Sequence, residues 1–298
     1  MENALVEQNN SNQLSFDFAD IQNKFNRSIT TTDEVRTSIY APVSKVSANS
    51  ALYKNFVNNG RRREIECNFS DISGIEISGE LLTQTHKDIV DAILATNDKI
   101  LVNNEGDFVA HISMYKVLKY ISNSTNNYKW LDDKISEIKR SVITLKPKNG
   151  NKKDRIEFNI FDTLYYDDDK KMYGVILNKR FVKWFIGTLT MDYRKHLKDI
   201  AVLSGKGNGF IKAVIRFFIS QDMNSRNGKA YVISLDTLLE KVDQPRENDR
   251  QRKSAVGYIN AFKVDLEKYC IEYDKKTKTF FYHGADNLYF TGPLKALQ

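Results

Sequence analysis

HISMYKVLKYI (111–121) and VISLDTLLEKV (232–242) decide how this chain is read, because they carry one pattern twice. Ile112 answers to Ile233, Ser113 to Ser234, Met114 to Leu235, Val117 to Leu238, Leu118 to Leu239 and Ile121 to Val242. In each copy a short apolar run ends at a Ser whose hydroxyl suits a helix N-cap. The apolar residues then recur at i, i+3, i+4 and i+7. The pattern predicts a short strand feeding directly into an amphipathic helix, at two places in the chain.

The likeness extends in both directions. Upstream lie two further helical stretches, THKDIVDAIL in the first copy and GFIKAVIRFFISQ in the second. The first belongs to a stripe of Leu81, Leu82, Ile89, Ile93 and Leu94 that follows Ser78. Downstream, WLDDKISEIKRSVITL (130–145) aligns with YINAFKVDLEKYCIEY (258–273), each a helix running into a strand. Each is followed by a polar Lys-rich turn and a further strand: KPKNGNKKDRIEFNIF in one copy, DKKTKTFFYH in the other. Helix, strand, helix, helix, strand, basic turn, strand is the order of a winged helix. The expected fold class is therefore α+β, two tandem winged-helix domains with a flexible N-terminal arm. The polar, Asn-, Ser- and Thr-rich residues 1–70 are expected to form that arm. Residues 71–188 are expected as the first winged-helix domain and 189–298 as the second, the main DNA-reading one.

The copies differ where the second is longest. From the capping Ser to the aligned aromatic there are 17 positions in the first copy (113 to 130) and 24 in the second (234 to 258). The extra length falls in DQPRENDRQRKSAVG, with Pro245 placed near a helix start. On the helix that follows, Val256, Ile259, Phe262, Leu266 and Tyr269 share one face, assigned to the core. Arg246, Arg250, Lys253 and Gly257 share another, with Arg252 and Ser254 beside it. A recognition helix enters the major groove with its N-terminal residues on the bases. Arg can there bond guanine O6 and N7 together, and Gly lets the backbone approach. The other reading of these residues is a solvated face on which Glu247 and Asp249 pair with Arg250 and Lys253. The Lys-rich turns, Lys146, Lys148, Lys152 and Lys153 in the first copy and Lys275, Lys276 and Lys278 in the second, are expected to lie along phosphates as wings.

The bulk numbers suit a polyanionic partner. The 298-residue chain has net charge +7 and pI about 9.1, with 41% hydrophobic residues, enough for sizeable cores. No apolar run approaches membrane-span length. MENALVEQNN lacks the basic and apolar regions of a signal peptide. Cys67 and Cys270, far apart, suit a reducing cytoplasm and supply no metal site or disulfide framework. His86, His111, His196 and His283 are scattered, so no metal is placed beside a nucleophilic Tyr. SGKGNG (204–209) lacks the spacing of a phosphate loop and reads as a flexible link. YYDDDKK (165–171) sits between two strand-like runs, so its Asp167, Asp168 and Asp169 read as a hairpin turn. The same aspartates would be the Mg²⁺ site of a primase or nickase, the enzymatic alternative. A binding protein without catalysis or cofactor is expected.

Two winged-helix copies with a basic second recognition helix resemble plasmid replication initiators of the TrfA type, and more distantly the iteron-binding Rep initiators. The likeness is carried by SGELLTQTHKDIVDAIL, by LNKRFVKWF with MDYRKHL, and by SAVGYINAFKVDLEKY, and covers roughly residues 72 to 293. It implies binding to repeated double-stranded sites (iterons) at a plasmid origin in the bacterial cytoplasm. It further implies help in melting adjacent A·T-rich DNA, recruitment of host initiator, helicase and polymerase components, a part in plasmid copy control, and a monomer–dimer equilibrium. QLSFDF (13–18) in the expected arm resembles the hexapeptide that binds the sliding clamp. Gln13, Leu14, Phe16 and Phe18 fill its anchor places, with Phe where Leu is usual at the last two. The alternative within binding proteins is a sequence-specific winged-helix transcription repressor without replication activity.

Overall fold

The computed structural model describes residues 18–294 apart from 70–71, 98–99, 104–105, 122–123, 125, 149–154, 168–171, 226–228 and 247, with the side chains of 67–69 and 167 also outside the description. Among the described residues, no helix is long and apolar enough to cross a membrane. The fold is mixed α and β, as expected.

The expected arm is the first correction. From Phe18 onward the N-terminal segment is folded into the body. Helix α1 (Phe18–Arg27) buries Ile21 and Phe25 in the core. Lys24 is also buried, and its Nζ donates to the carbonyls of Ile186 (2.9 Å), Thr188 (2.7 Å) and Gly292 (2.7 Å). Strand β1 (Thr30–Thr31) leads into α2 (Thr32–Arg36). Thr31 Oγ1 accepts from the Glu34 N–H, while the Glu34 carboxylate accepts from the Thr31 N–H, both at 3.0 Å. The threonines that make this stretch look disordered are buried and hydrogen-bonded instead. Helix α3 (Ala51–Asn58), capped by Ser50, precedes the hairpin of β2 (Arg62–Phe69) and β3 (Ile72–Ser78), so a boundary at 71 falls inside a hairpin.

The first repeat follows as α4 (Gln84–Thr96), β4 (Ile100–Val102), β5 (Phe108–Ile112), α5 (Met114–Ile121) and α6 (Tyr128–Arg140). Ser113 Oγ accepts from the Lys116 N–H at the start of α5. The wing is the second correction. Strands β6 (Val142–Pro147) and β7 (Ile156–Phe158) form the hairpin expected to be the wing, but they join the N-terminal hairpin in a sheet ordered β2-β3-β6-β7. Strand β5 pairs instead with the next hairpin, β8 (Phe161–Asp167) and β9 (Met172–Leu177), in the order β4-β5-β9-β8. By topology, then, the wing of the first unit is β8–β9. Strands β6 and β7 instead extend another sheet. Helix α7 (Lys179–Gly187), capped by Asn178, closes the unit.

Strand β10 (Thr190–Asp192) and α8 (Arg194–Ala201) lead into the second repeat: α9 (Asn208–Ser220), β11 (Tyr231–Ser234), α10 (Leu235–Lys241), α11 (Asp249–Ala261), α12 (Lys263–Glu267), β12 (Ile271–Asp274) and β13 (Thr279–Tyr282). Ser234 Oγ accepts from the Thr237 N–H and caps α10, as its twin does α5. The sheet order β11-β13-β12 places the strand before the helix pair against the second strand of the wing, the winged-helix arrangement. A last strand, β14 (Tyr289–Thr291), returns to pair with β10, which also pairs with β1. Amino-terminal segment, inter-repeat linker and carboxy-terminal strand thus share one small sheet. The apolar side chains of both repeats belong to one continuous core, from Ile21 to Tyr282.

The centre of that core is charged. Helices α4 and α9, the first helix of each repeat, are buried on nearly all faces. Asp88 accepts from Lys212 and from Arg216, both at 2.6 Å. Asp91 accepts from Lys87 at 2.7 Å and from the Tyr193 hydroxyl, and lies 3.5 Å from Arg216. Arg216 also donates to Gln84 Oε1 (2.7 Å) and to Tyr193 Oη (3.0 Å). Lys87 reaches Thr30 Oγ1 (2.6 Å) and Glu34 (3.3 Å). Three cations face three carboxylates, and each carboxylate oxygen accepts at least one bond, which is what a charged interior requires. Burial opposes the Arg216 charge, but Tyr193, Asp88 and Asp91 more than offset it and hold the guanidinium protonated above its ordinary range. Burial raises the Asp91 carboxyl, with Lys87 and Arg216 pulling the other way.

The start of α4 carries a second, smaller link. His86 Nδ1 accepts from the Thr83 N–H at 3.0 Å, so Nε2 bears the proton and donates to Glu137 on α6 at 2.8 Å. Lys134 adds a bond at 2.7 Å. Burial works to raise the Glu137 carboxyl, but the His86 and Lys134 hydrogen bonds outweigh it and bring it from 4.5 to about 2. A depressed carboxylate contributes stability that is present above its unfolded value of 4.5 and is lost as pH falls through its folded value. The melting temperature of Glu137→Gln should therefore lie below wild type at neutral pH, and the gap should close between pH 4.5 and about 2. A gap constant over that range would show that the carboxylate charge contributes nothing.

Candidate nucleic-acid interface

Helix α11 is the element on which the expected contacts converge. Asn248 caps it: its Oδ1 accepts from the Gln251 N–H (3.0 Å), and Gln251 Oε1 accepts from the Asn248 N–H (3.2 Å). Ala255 and Ile259 are buried, and Phe262, Leu266 and Tyr269 continue that face. Val256, assigned to the core by spacing, is only partly buried, and Ala255 takes its place. The helix breaks at Phe262 (φ −108°, ψ 22°), which lets α12 carry the apolar face onward to Tyr269.

The loop before α9 sets this helix's position. SGKGNG is not a flexible link. Gly207 sits at φ +86°, and a Cβ there would lie 2.3 Å from the Tyr258 ring of α11. At Gly209 a Cβ would lie 2.4 Å from the Ser44 backbone nitrogen. Close packing against α11 and residues 43–44 accounts for these two glycines without a phosphate.

Opposite the buried face, Arg250, Lys253, Ser254 and Gly257 are exposed, and nothing lies within 4 Å of a Cβ built on Gly257. Among the described residues neither Arg250 nor Lys253 is in an ion pair, and in particular neither pairs with Asp249; Glu247 lies outside the described residues. The Ser254 hydroxyl donates back to the Arg250 carbonyl at 2.9 Å. Arg246 and Arg252 are engaged on α10, with Glu240 at 3.2 Å and Asp236 at 3.0 Å. Both pairs are solvent-exposed and each contributes at most about 1 kcal/mol, so a phosphate could displace either carboxylate at small cost.

In the wing of the second unit, Asp274 accepts from the Lys276 N–H (2.8 Å) and the Thr277 hydroxyl (2.7 Å), which shapes the turn. Lys275, Lys276 and Lys278 all project from it, exposed, with Lys278 at φ +53°. The topology corrects the placement of the first-copy lysines on a wing. Lys146 lies across its sheet between Glu64 (3.1 Å) and Glu76 (3.4 Å), on a hairpin that is not the topological wing. Lys148 is exposed on that hairpin, and Lys152 and Lys153 lie outside the described residues. Helix α6, the first unit's counterpart of α11, carries Asp132, Asp133 and Glu137 against Lys129, Lys134, Lys139 and Arg140, so only the second unit has a basic-headed helix.

Gln13, Leu14 and Phe16 lie outside the described residues. Phe18 opens α1, 56% exposed, with its ring 6.2 Å from that of Phe108. Asp168 and Asp169, with the Asp167 side chain, are likewise outside the description. Among the described residues no group of three or more His, Cys, Asp or Glu is arranged to hold a metal ion.

No protein-family model matches the chain, and no curated protein matches it. Among solved structures it is similar to the crystal structure of selenomethionine derivatives of domains 2 and 3 of RctB, with TM-score 0.53 at 11% identity, covering 87% of this chain and 99% of that one. A second crystal structure of RctB domains 2–3 gives TM-score 0.46 at 10% identity over 84% and 94%. At such identity the first likeness is one of fold: the α+β arrangement of two successive domains is shared almost from end to end.

Proposed function

We propose that the chain is a DNA-binding replication initiator that recognises repeated sites at an origin and acts without catalysis. The observation that carries this reading is the second unit. Its strand order is that of a winged helix, and the helix before the wing presents Arg250 and Lys253, exposed and in no ion pair among the described residues. Replication enters through the fold neighbour, RctB being a replication initiator, and through the resemblance to plasmid initiators. The wing lysines 275, 276 and 278 would lie on the flanking backbone. A plasmid origin, copy control, host helicase and clamp as partners, and a dimer form the finer part of the proposal. QLSFDF is its clamp element, tested by clamp binding of a peptide of residues 8–22.

The deciding experiment is selection of bound duplexes from a random pool, followed by footprinting on the DNA that flanks the gene. Direct repeats spaced by roughly two helical turns, about 20–22 bp, beside an A·T-rich tract that becomes reactive to single-strand probes are expected. A lone palindrome with no melting would instead make the protein a repressor, and no enriched sequence would end the DNA-reading assignment.

A further inference from the structure

The segment expected to be an unstructured arm ends beside the loop that leads into α11, the helix that carries Arg250. Helix α3 and the start of β2 form a corner, LYKNFVNNGRRR (52–63), against the loop that leads into α11. Asn55, Asn59 and Arg62 line one wall of a cleft of about 390 Å³, and Gln244, Arg246 and Gln251 line the other.

Three observations give this corner a chemistry. Its own segment is basic: no Asp or Glu occurs between residues 35 and 63, whereas Lys54, Arg61, Arg62 and Arg63 all fall within it, and the two carboxylates that line the cleft, Glu64 and Asp243, are already paired with Lys146 (3.1 Å) and Arg63 (2.6 Å). Its polar groups are uncommitted: the side-chain amides of Asn55, Asn58 and Asn59 and the Lys54 ammonium are exposed and make no hydrogen bond or ion pair among the described residues. Arg62 has only a loose pair with Glu76, at 3.7 Å, and its side chain is 64% exposed. Finally, the corner is pinned. Arg63, 7% exposed, donates through Nε (3.1 Å) and Nη2 (2.6 Å) to Asp243 and through Nη1 (3.1 Å) to the Ile39 carbonyl. Asp243 itself stands at φ +51°, in the left-handed region. A solvated surface turn has no need of a buried, three-bonded arginine, whereas a surface that must keep fixed spacing from α11 does.

We propose that the α3–β2 corner is a second DNA-contacting element, which grips the phosphate backbone next to the groove entered by α11. This rests on the DNA-reading assignment above. A helix that presents its N-terminal residues to base edges brings the loop before it, and whatever is braced against that loop, over the adjacent sugar-phosphate strand. Donor amides and an exposed, loosely paired guanidinium suit phosphate oxygens, whose contacts hold register without reading sequence. Arg63 is a positioning residue in this scheme, and Arg62, Asn55 and Asn59 make the contact.

The test uses the full chain, a duplex of about three helical turns obtained by selection, and a scrambled duplex of equal length. Kd is measured over a series of salt concentrations for Arg62→Gln, for Asn55→Asp with Asn59→Asp, and for Arg250→Ala, with melting temperature as the folding control. Arg62→Gln should weaken both duplexes by the same factor and reduce the slope of log K against log salt by about 0.9. The double Asp variant, which turns two donors toward phosphate into charges of its own sign, should weaken both by about tenfold or more. If both corner variants bind with wild-type affinity and slope while Arg250→Ala loses the selected duplex, the corner is not in the interface and the DNA-reading assignment stands. If the corner variants lose only the selected duplex, the contact is to bases and the phosphate grip is wrong. If wild type binds neither duplex, both readings fall together.

Discussion

Replacing Arg216 by Ala should destabilise the protein by about 3–5 kcal/mol, the cost of removing one partner from a buried ionic cluster. That is a large part of the roughly 5–15 kcal/mol by which a domain is stable at all. Arg216 is fully buried on α9 and touches Asp88, Asp91, Gln84 and Tyr193. Without it, among the described residues Asp88 keeps Lys212 and Asp91 keeps Lys87 and Tyr193, and the buried amide oxygen of Gln84 loses its donor. Asp88, Asp91 and Gln84 lie on α4 of the first repeat and Arg216 and Lys212 on α9 of the second, so the loss falls on the junction between them. Denaturant unfolding of Arg216→Ala should show a lower midpoint. Asp88→Asn should cost less when added to Arg216→Ala than in wild type, since residues of one network do not add. A loss below about 1 kcal/mol, or strict additivity, would mean that apolar packing alone joins the repeats. The cluster matters beyond stability: its bonds run from α4 to α9 and tie the first helices of the two repeats together. The same pairing fixes how the two helix–turn–helix units are set against each other.

That cluster was the part of the fold hardest to read from sequence, although a trace of it is there. GFIKAVIRFFIS is apolar all round except for Lys212 and Arg216, four residues apart, and α4 carries Gln84, Lys87, Asp88 and Asp91 on one face. Amphipathic reasoning sends such residues to solvent. Only the near absence of any other polar position on α9 betrays that its charges have no solvent to face. Local signals did carry through: Ser113 and Ser234 both cap helices, and Ile259, Phe262, Leu266 and Tyr269 are buried as their spacing requires. What failed was non-local. Strand β5 could pair with either of two hairpins that follow it, and periodicity cannot choose between β6–β7 and β8–β9. Composition misled at the N-terminus, where Thr30 and Thr32 bury their hydroxyls against partners far along the chain, a result that polarity alone reads as disorder. The basic face of α11 was legible because it depends on one helix only. Which of its arginines are free was not, because Asp236 and Glu240 reach it from α10.

Arg250→Ala should cost about 1–3 kcal/mol on the selected site, roughly 5- to 150-fold in Kd, and little on scrambled duplex. Arg250 is the arginine of the cluster that lies in the first turn of α11, points to solvent and has no carboxylate on it among the described residues. A guanidinium so placed can bond guanine O6 and N7 together, and that pair is lost whole when the side chain is cut back. Arg252→Ala should cost less, because the free protein already holds that guanidinium on Asp236 at 3.0 Å, so its transfer to DNA replaces one partner by another. Lys253→Ala should act differently again: a point charge without a fork weakens both duplexes alike and lowers the salt slope by about 0.9. The order of the three on selected DNA is thus fixed by what each touches before DNA arrives. Equal losses from Arg250→Ala on selected and scrambled duplex would place Arg250 on phosphate. A larger loss from Arg252→Ala than from Arg250→Ala would mean that α10 gives up its carboxylate pairs on binding, and that the reading face of α11 is turned by about 100° per residue step from the one its exposed side chains define.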